Sequence, residues 1–95
     1  MKVQIHNRVL TWLKKHPDLS HQFHEILKDL KANPHSGPKL GNSDLRKVRI
    51  SRKYRLLYYF DSQALVLLDI APSDKVVRQK AYTQKLNKQA QKVNV

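Results

Sequence analysis

The first part of the chain shows two different spacings of apolar residues. Val3 and Ile5 alternate with polar neighbours, which predicts a short first strand. An apolar stripe at helical spacing follows, and Asn7 is a suitable N-cap for that helix. Pro17 cannot continue a helix, so the sequence predicts a strand and then one helix before it.

A second helix is predicted between Pro17 and Pro34. Asp18 or Ser20 is placed to cap its start, and the pair Asn33-Pro34 stops it. Its apolar positions repeat every three to four residues, which is the period of one helix face. These positions are Leu19, Phe23, Ile26, Leu27 and Leu30.

A loop and three further strands are predicted after this helix. The loop holds both glycines, with Leu40 as its expected anchor in the core. The connections between the strands are of hairpin length, and the last strand is apolar on both faces, which is typical of the centre of a sheet. The predicted strands run from Leu45 to Ser51, from Tyr54 to Phe60 and from Ala64 to Ile70.

The order of these elements predicts one α+β domain over residues 1–95. It contains a small, mostly antiparallel sheet, two N-terminal helices on one face, and a basic C-terminal helix or tail. We expect the basic sheet face to stay open and the tail from about residue 73 to be mobile, because it has few apolar anchors. The predicted core is Val3, Ile5, Val9, Leu13, Phe23, Ile26, Leu27, Leu30, Leu40, Val48, Ile50, Leu56, Tyr58, Val66, Leu68 and Ile70.

Composition excludes several classes of chemistry. The chain has no cysteine, so disulfides, zinc thiolate sites and thiol catalysis are excluded. His21 and His24 have no third ligand nearby in the sequence, and we predict neither a metal nor a cofactor. No apolar run approaches the roughly 20 residues that span a bilayer, and the N-terminus lacks a signal peptide's apolar segment. These features predict a cytoplasmic protein that does not bind membranes.

Charge changes the picture, because basic residues outnumber acidic ones by 19 to 7 and give a net charge of +12. Six of the ten residues from Arg46 to Arg55 are basic. Alternation along a strand places Lys47 and Arg49 on one face and Val48 and Ile50 on the other. A sheet with one apolar and one cationic face indicates a polyanion partner, and nucleic acid is the first candidate. A solvated surface and an acidic protein partner are the alternatives.

Several motifs resemble the RelE/ParE superfamily of bacterial and archaeal toxins. The second helix and its exit, the basic strand, the Tyr-Arg strand and the last strand all match in order and spacing, over about residues 3–82. The matching segments are Leu27 to Leu40 with Asn33-Pro34 and Gly37, Leu45 to Ile50, Tyr54-Arg55-Leu56-Leu57-Tyr58, and Leu67-Leu68-Asp69-Ile70.

The resemblance implies one of two toxin activities. RelE-like members are messenger RNA endonucleases that act in the ribosomal A site and inhibit translation, whereas ParE-like members poison DNA gyrase. The RelE-like activity is favoured, and a non-catalytic RNA- or protein-binding member of the fold is a third alternative. The implied partners are a cognate acidic antitoxin, mRNA and the ribosome. We expect a monomer when the protein is free and a hetero-oligomer with the antitoxin.

The RelE-like resemblance also implies site residues. Lys47, Arg49 and Arg55 match the family's basic positions on two neighbouring strands. The Arg55 guanidinium suits a phosphorane that gains charge in the transition state, because its rigid fork binds two oxygens at once. Lys47 is the candidate base, a role that requires its cationic neighbours Arg46, Arg49 and Arg55 to favour its neutral form. Arg49 stands where many nuclease members have lysine, and an arginine there binds phosphate but is a poor proton acceptor.

The C-terminal part departs from the family pattern. Lys75 or Arg78 takes the place of the family's arginine, and Tyr82 is the candidate for its aromatic residue, about one position late. Other cations are expected to contact the nucleic acid backbone, and these are Arg46, Arg52, Lys53, Lys80 and Lys85.

Overall fold

The computed structural model describes residues 2–41 and 43–74. The expectations for Lys75, Arg78, Lys80, Tyr82 and Lys85, and for the tail in general, lie outside these residues. The elements in chain order are β1 (Lys2–Ile5), α1 (Asn7–Lys15), a 3-10 turn (Pro17–Leu19), α2 (Ser20–Ala32), a second 3-10 turn (Pro34–Ser36), β2 (Arg46–Arg49), β3 (Tyr54–Phe60) and β4 (Ala64–Pro72).

Both helices begin differently from the sequence prediction. His6, and not Asn7, caps α1, because its Nδ1 accepts a hydrogen bond from the Arg8 backbone N–H at 3.2 Å. The predicted cap of α2 is also wrong, since the residue before it is Leu19 and makes no side-chain cap bond. The 3-10 turn that starts at Pro17 runs directly into α2, and the Ser20 N–H donates to the Pro17 carbonyl there.

The four strands form one sheet in the order β1-β4-β3-β2. β1 pairs with β4 in parallel, and the other two pairings are antiparallel. β4 therefore lies at the centre of the sheet beside β3, which confirms the position predicted from its apolar run. The parallel pairing requires a crossover, and α1 and α2 lie in that connection.

The helices cover one sheet face and form the main core with it. Val48 and Ile50 belong to this side, so the predicted register of the basic strand is confirmed. A register shift between Leu57 and Tyr58 places Leu65 and Leu67 on the helix side. Val66 and Leu68, which the sequence predicted as core residues, are buried on the opposite face. The buried residues of this core are Val9, Phe23, Leu30, Ile50, Leu56, Tyr58, Leu65, Leu67 and Ile70.

The opposite face is not the open cationic surface that the sequence predicted. Six apolar residues on it are buried, and Leu40 and Tyr59 pack against them. Because β3 and β4 are apolar on both faces, the cations of this face come from β2 and from the first residues of β3. The six buried residues are Leu45, Leu57, Ala64, Val66, Leu68 and Ala71.

Candidate nucleic-acid interface

The loop after α2 is fixed to the sheet by the hydroxyl group of Tyr58. This buried hydroxyl donates to the Pro34 carbonyl at 2.7 Å and accepts from the Gly37 N–H at 3.0 Å. Burial raises the pKa of Tyr58, and the bond to Gly37 and the nearby Arg46 oppose that rise. The neutral hydroxyl is therefore favoured, which suits a group that must donate and accept at once.

Gly37 is required at its position by steric contact. A Cβ atom there would lie 2.5 Å from the Lys47 carbonyl oxygen and 2.6 Å from the Tyr58 hydroxyl. The backbone of Gly37 is in the extended region, so the constraint comes from space and not from torsion angle. The loop approaches β2 this closely only because the side chain is absent.

Beyond Gly37 the loop runs along the outer edge of β2. The Lys47 N–H donates to the Pro38 carbonyl at 3.1 Å, and the Leu40 N–H donates to the Leu45 carbonyl at 2.8 Å. These bonds pair the backbone of β2 on its free side, as a short fifth strand would. The loop thereby becomes the wall of a cleft over Lys47.

That cleft has a volume of about 260 Å³ and is lined by three of the predicted site residues. Lys47, Arg49 and Arg55 contribute to it, so the structure brings together three of the six residues implied for catalysis, and the other three lie outside the described residues. We call this site the basic cleft, and its lining is Ser36, Gly37, Pro38, Lys47, Val48, Arg49 and Arg55.

Two arginines in the basic cleft are direct cross-strand partners. Arg49 on β2 is paired in register with Arg55 on β3, and the next pair on the same face is Lys47 with Leu57. Within the described part of the chain, no carboxylate forms an ion pair with Lys47, Arg49 or Arg55. The three side chains thus bring three positive charges to one face of the sheet.

The Arg55 guanidinium is held by the backbone of the turn between β2 and β3. One of its terminal nitrogens donates to the Ser51 carbonyl at 2.8 Å and to the Tyr54 carbonyl at 3.1 Å. The side chain is half-buried, whereas Arg49 is exposed. Arg55 is thus the more strongly oriented of the two arginines, which suits recognition of a phosphate in a fixed geometry.

Arg46 does not line the basic cleft with Lys47, Arg49 and Arg55. It pairs in register with Tyr58 on the helix-covered face and donates to the Gly37 carbonyl at 2.6 Å and to the His35 carbonyl at 3.2 Å. Its guanidinium also lies over the Phe60 ring, 5.4 Å from the centroid. These contacts assign Arg46 to holding the loop in place.

Arg52 and Lys53 lie in the β2–β3 turn and are exposed. The Lys53 ammonium is 5.6 Å from the centre of the Tyr54 ring. Arg52 faces a separate groove between α2 and the end of β2, whose other walls include His21, Gln22 and Glu25. The sequence pattern did not connect these helix residues with the basic strand. Their only signal was a polar patch beside Ile26 on α2.

Two further findings concern other kinds of site. Residues 2–41 and 43–74 contain no cluster of three or more histidine, aspartate or glutamate side chains that could hold a metal ion. Among the same residues, no helix is both long enough and apolar enough to cross a bilayer.

No protein-family model and no curated protein matches the sequence. Solved structures do match the fold. The "YoeB/ParE toxin from Agrobacterium tumefaciens" superposes with a TM-score of 0.61 at 16% identity, over 76% of this chain and 98% of that one. A chain of the "intact E. coli RelBE toxin-antitoxin complex" superposes with a TM-score of 0.50 at 20% identity, over 75% and 99%.

At these identities the likeness establishes the fold. The chain has the α+β fold of these two structures, and the fold that the sequence predicted is confirmed. One of these two structures is a toxin, and the other is a toxin–antitoxin complex.

Proposed function

We propose that this protein is the toxin of a type II toxin–antitoxin pair and that it cuts mRNA in the ribosomal A site. The observation that carries the proposal is the basic cleft, where Arg49 and Arg55 are cross-strand partners beside Lys47. Like charges placed opposite each other destabilise a sheet. Folding accounts for Arg55, whose guanidinium holds the turn between β2 and β3, but it gives no reason to place Arg49 opposite it, whereas binding a phosphate does.

The cleft fits RNA cleavage by the neighbouring ribose hydroxyl. In that reaction the 2′-oxygen forms a bond to phosphorus, the bond from phosphorus to the 5′-oxygen breaks, and a 2′,3′-cyclic phosphate remains. A base takes the proton of the 2′-hydroxyl, and an acid gives one to the departing 5′-oxygen. The pentavalent phosphorane between these steps carries additional negative charge and needs cations around it.

The roles follow from the chemistry of each side chain. Arg55, oriented by two carbonyls, binds the phosphorane oxygens, and Arg49 supplies a second cation from the opposite strand. Lys47 takes the 2′-hydroxyl proton, because an arginine is a poor proton acceptor. The hydroxyl of Tyr82 protonates the leaving oxygen, and Lys75 or Arg78 takes the place of the family's arginine; all three lie outside the described residues.

The partner proposal follows from net charge. A chain of +12 attracts an acidic antitoxin segment, which neutralises the basic cleft and competes with RNA for it. The association should be fast and tight at low ionic strength and should weaken as salt screens the charges. The RelBE structure supports this expectation, because it is a complex of a toxin of this fold with an antitoxin.

The decisive experiment is a reconstituted translation assay with mapped mRNA ends, run beside a gyrase supercoiling assay. Ribosome-dependent cuts at codon-spaced positions would establish the nuclease. Inhibited supercoiling with intact mRNA would assign the chain to the gyrase poisons instead. If neither occurs, the fold serves as a non-catalytic binding module.

A further inference from the structure

A second groove lies next to the basic cleft, between α2 and the turn that follows β2. It has a volume of about 540 Å³ and is the larger of the two. We call it the α2 groove. One wall consists of His21, Gln22 and Glu25, and the facing wall consists of Arg49, Ser51 and Arg52.

The two sites share one residue. Arg49 lines both the basic cleft and the α2 groove, since it is the last residue of β2 and is exposed at the edge of the sheet. A polyanion that places one phosphate between Arg49 and Arg55 can therefore continue along Arg49 toward Arg52. The α2 groove is then the position of a neighbouring nucleotide.

The lining of the α2 groove offers different chemistry to the two halves of a nucleotide. Arg49 and Arg52 are suited to the phosphate. Ile26, which is partly buried against the helix-side core, provides an apolar surface within the same groove for the face of a base, and the buried Ile50 lies at its floor. The groove thus combines a cationic wall, an apolar surface and a polar wall.

Among the residues of the polar wall, Glu25 indicates most clearly which ligand fits the groove. An ionised carboxylate only accepts hydrogen bonds, so it repels phosphate and is out of place in a groove that binds a backbone alone. It fits a base edge that presents donors. Guanine presents two adjacent donors on its Watson–Crick edge, N1–H and the N2 amino group, whereas adenine and cytosine each offer one amino group there. Uracil offers one N–H between two carbonyl acceptors.

We infer that the α2 groove is a nucleotide-binding subsite that selects guanine in single-stranded RNA, with Glu25 as the specificity-determining residue. This inference rests on the proposed function. In this arrangement the Glu25 carboxylate accepts from both guanine donors, and Arg49 and Arg52 bind the adjoining phosphate. Gln22 lies on the same helix wall and is available to the remaining polar groups of the base.

Fluorescence anisotropy with labelled single-stranded hexanucleotides tests the subsite directly. We expect RNA with one guanine to bind about tenfold more tightly than the same RNA with adenine. Replacing that guanine by inosine, which lacks only the N2 amino group, should remove most of the preference. Glu25→Gln should do the same, because the amide offers a donor where the carboxylate offered an acceptor.

Asp29→Asn is the matched control. Asp29 lies one turn further along α2, is exposed and does not line the groove, yet the substitution removes the same charge. Any general gain in RNA affinity from losing a negative charge will appear in both variants. Only Glu25→Gln should lose the discrimination between guanine and inosine, and both variants should keep the wild-type circular dichroism spectrum.

The outcomes separate the subsite from the proposed function. Equal binding of guanine, inosine and adenine RNA by the wild type overturns the guanine subsite, even if ribosome-bound mRNA is cut. A preference that persists unchanged in Glu25→Gln overturns the role of Glu25. A Glu25-dependent preference for guanine without cleavage of ribosome-bound mRNA supports the subsite and rejects the nuclease. The absence of both binding and cleavage rejects both proposals.

Discussion

Arg49 and Arg55 occupy opposite positions on adjacent antiparallel strands, so both arginine side chains project from the same face of the sheet. Such a pair costs stability, on the order of 0.2–1 kcal/mol for residues directly opposite each other. In the described part of the chain no carboxylate offsets it with an ion pair. The arrangement is understandable if phosphate binding is the property for which it is kept.

Arg49→Gln should therefore make the free protein slightly more stable and less active. We expect the free energy of unfolding to rise by a few tenths of a kcal/mol at low salt, because the repulsion from Arg55 is removed. Urea denaturation at low and high salt measures it, and the gain should shrink at high salt because screening already weakens the repulsion. A loss of stability at low salt would contradict the assigned repulsion.

Arg55→Ala should lower mRNA cleavage by about 10²–10³-fold, the effect expected when one donor to a charged transition state is removed. Arg55→Lys keeps the charge but loses the planar fork, so it should also be impaired. The rate of cleavage on stalled ribosomes is the measurement. Lys28→Ala is the control, because it removes a positive charge from an exposed position on α2 that lines neither the basic cleft nor the α2 groove.

Stability must be measured for the Arg55 variants as well. The guanidinium bonds to Ser51 and Tyr54 help to hold the turn, so Arg55→Ala should lower the free energy of unfolding by roughly 1–2 kcal/mol. The variant should still be folded at 25 °C. A folded Arg55→Ala protein that cuts at the normal rate would show that the catalytic assignment is wrong.

Tyr58→Phe should destabilise the loop that forms the wall of the basic cleft. The substitution leaves the Pro34 carbonyl and the buried Gly37 N–H without their partner, at a cost of about 1–3 kcal/mol. Urea denaturation gives the change in the free energy of unfolding. Tyr54→Phe is the matched control, since the Tyr54 hydroxyl makes no hydrogen bond with the described residues, and its effect should be smaller.

Gly37→Ala and Gly41→Ala should separate steric conflict from backbone strain. At Gly37 a Cβ collides with the Lys47 carbonyl and the Tyr58 hydroxyl, so we expect a loss of about 3 kcal/mol. At Gly41 φ is +59° and nothing lies within 4 Å of a Cβ, so only the left-handed conformation is penalised, by about 1 kcal/mol. Thermal unfolding of both variants tests the order, and the reverse order would contradict the close approach at Gly37.

His6→Asn should reduce the loss of stability at mildly acidic pH. Burial, and then the nearby Arg8, lower the pKa of His6, while Asp69 partly opposes them. The folded state therefore disfavours protonated His6. The contribution of neutral His6 to the free energy of unfolding is complete above about pH 6.5 and is lost as the pH falls through the lowered pKa.

The free energies of unfolding at pH 7 and pH 5 provide the measurement for His6. Asn keeps a capping oxygen for the Arg8 N–H, so the variant should remain folded while its pH dependence becomes shallower. His24→Asn, at an exposed position on α2, is the control. If both variants show the same slope as the wild type, His6 is not the titrating group.

The basic strand shows what the alternation of residues within one strand can predict. Its alternation alone predicts Lys47 and Arg49 on the face opposite Val48 and Ile50, because a strand has a period of two and one face must be apolar. Alternation does not assign the faces of β4, because both are apolar and a register shift beside Leu57 places Leu65 and Leu67 on the helix side and Val66 and Leu68 on the other. An irregularity of pairing depends on two strands, and no single segment encodes it visibly.

The sequence by itself determined the order of elements, the central position of β4, the basic character of β2 and the stop at Asn33-Pro34, because these depend on period, charge and proline chemistry within short segments. Only the tertiary structure decided that Arg46 holds the loop and does not line the basic cleft, and that Gly37 admits no side chain. It also decided that Glu25 lies across a groove from Arg49. Those relationships join residues far apart in sequence, so they arise only when the loop and α2 pack against the sheet.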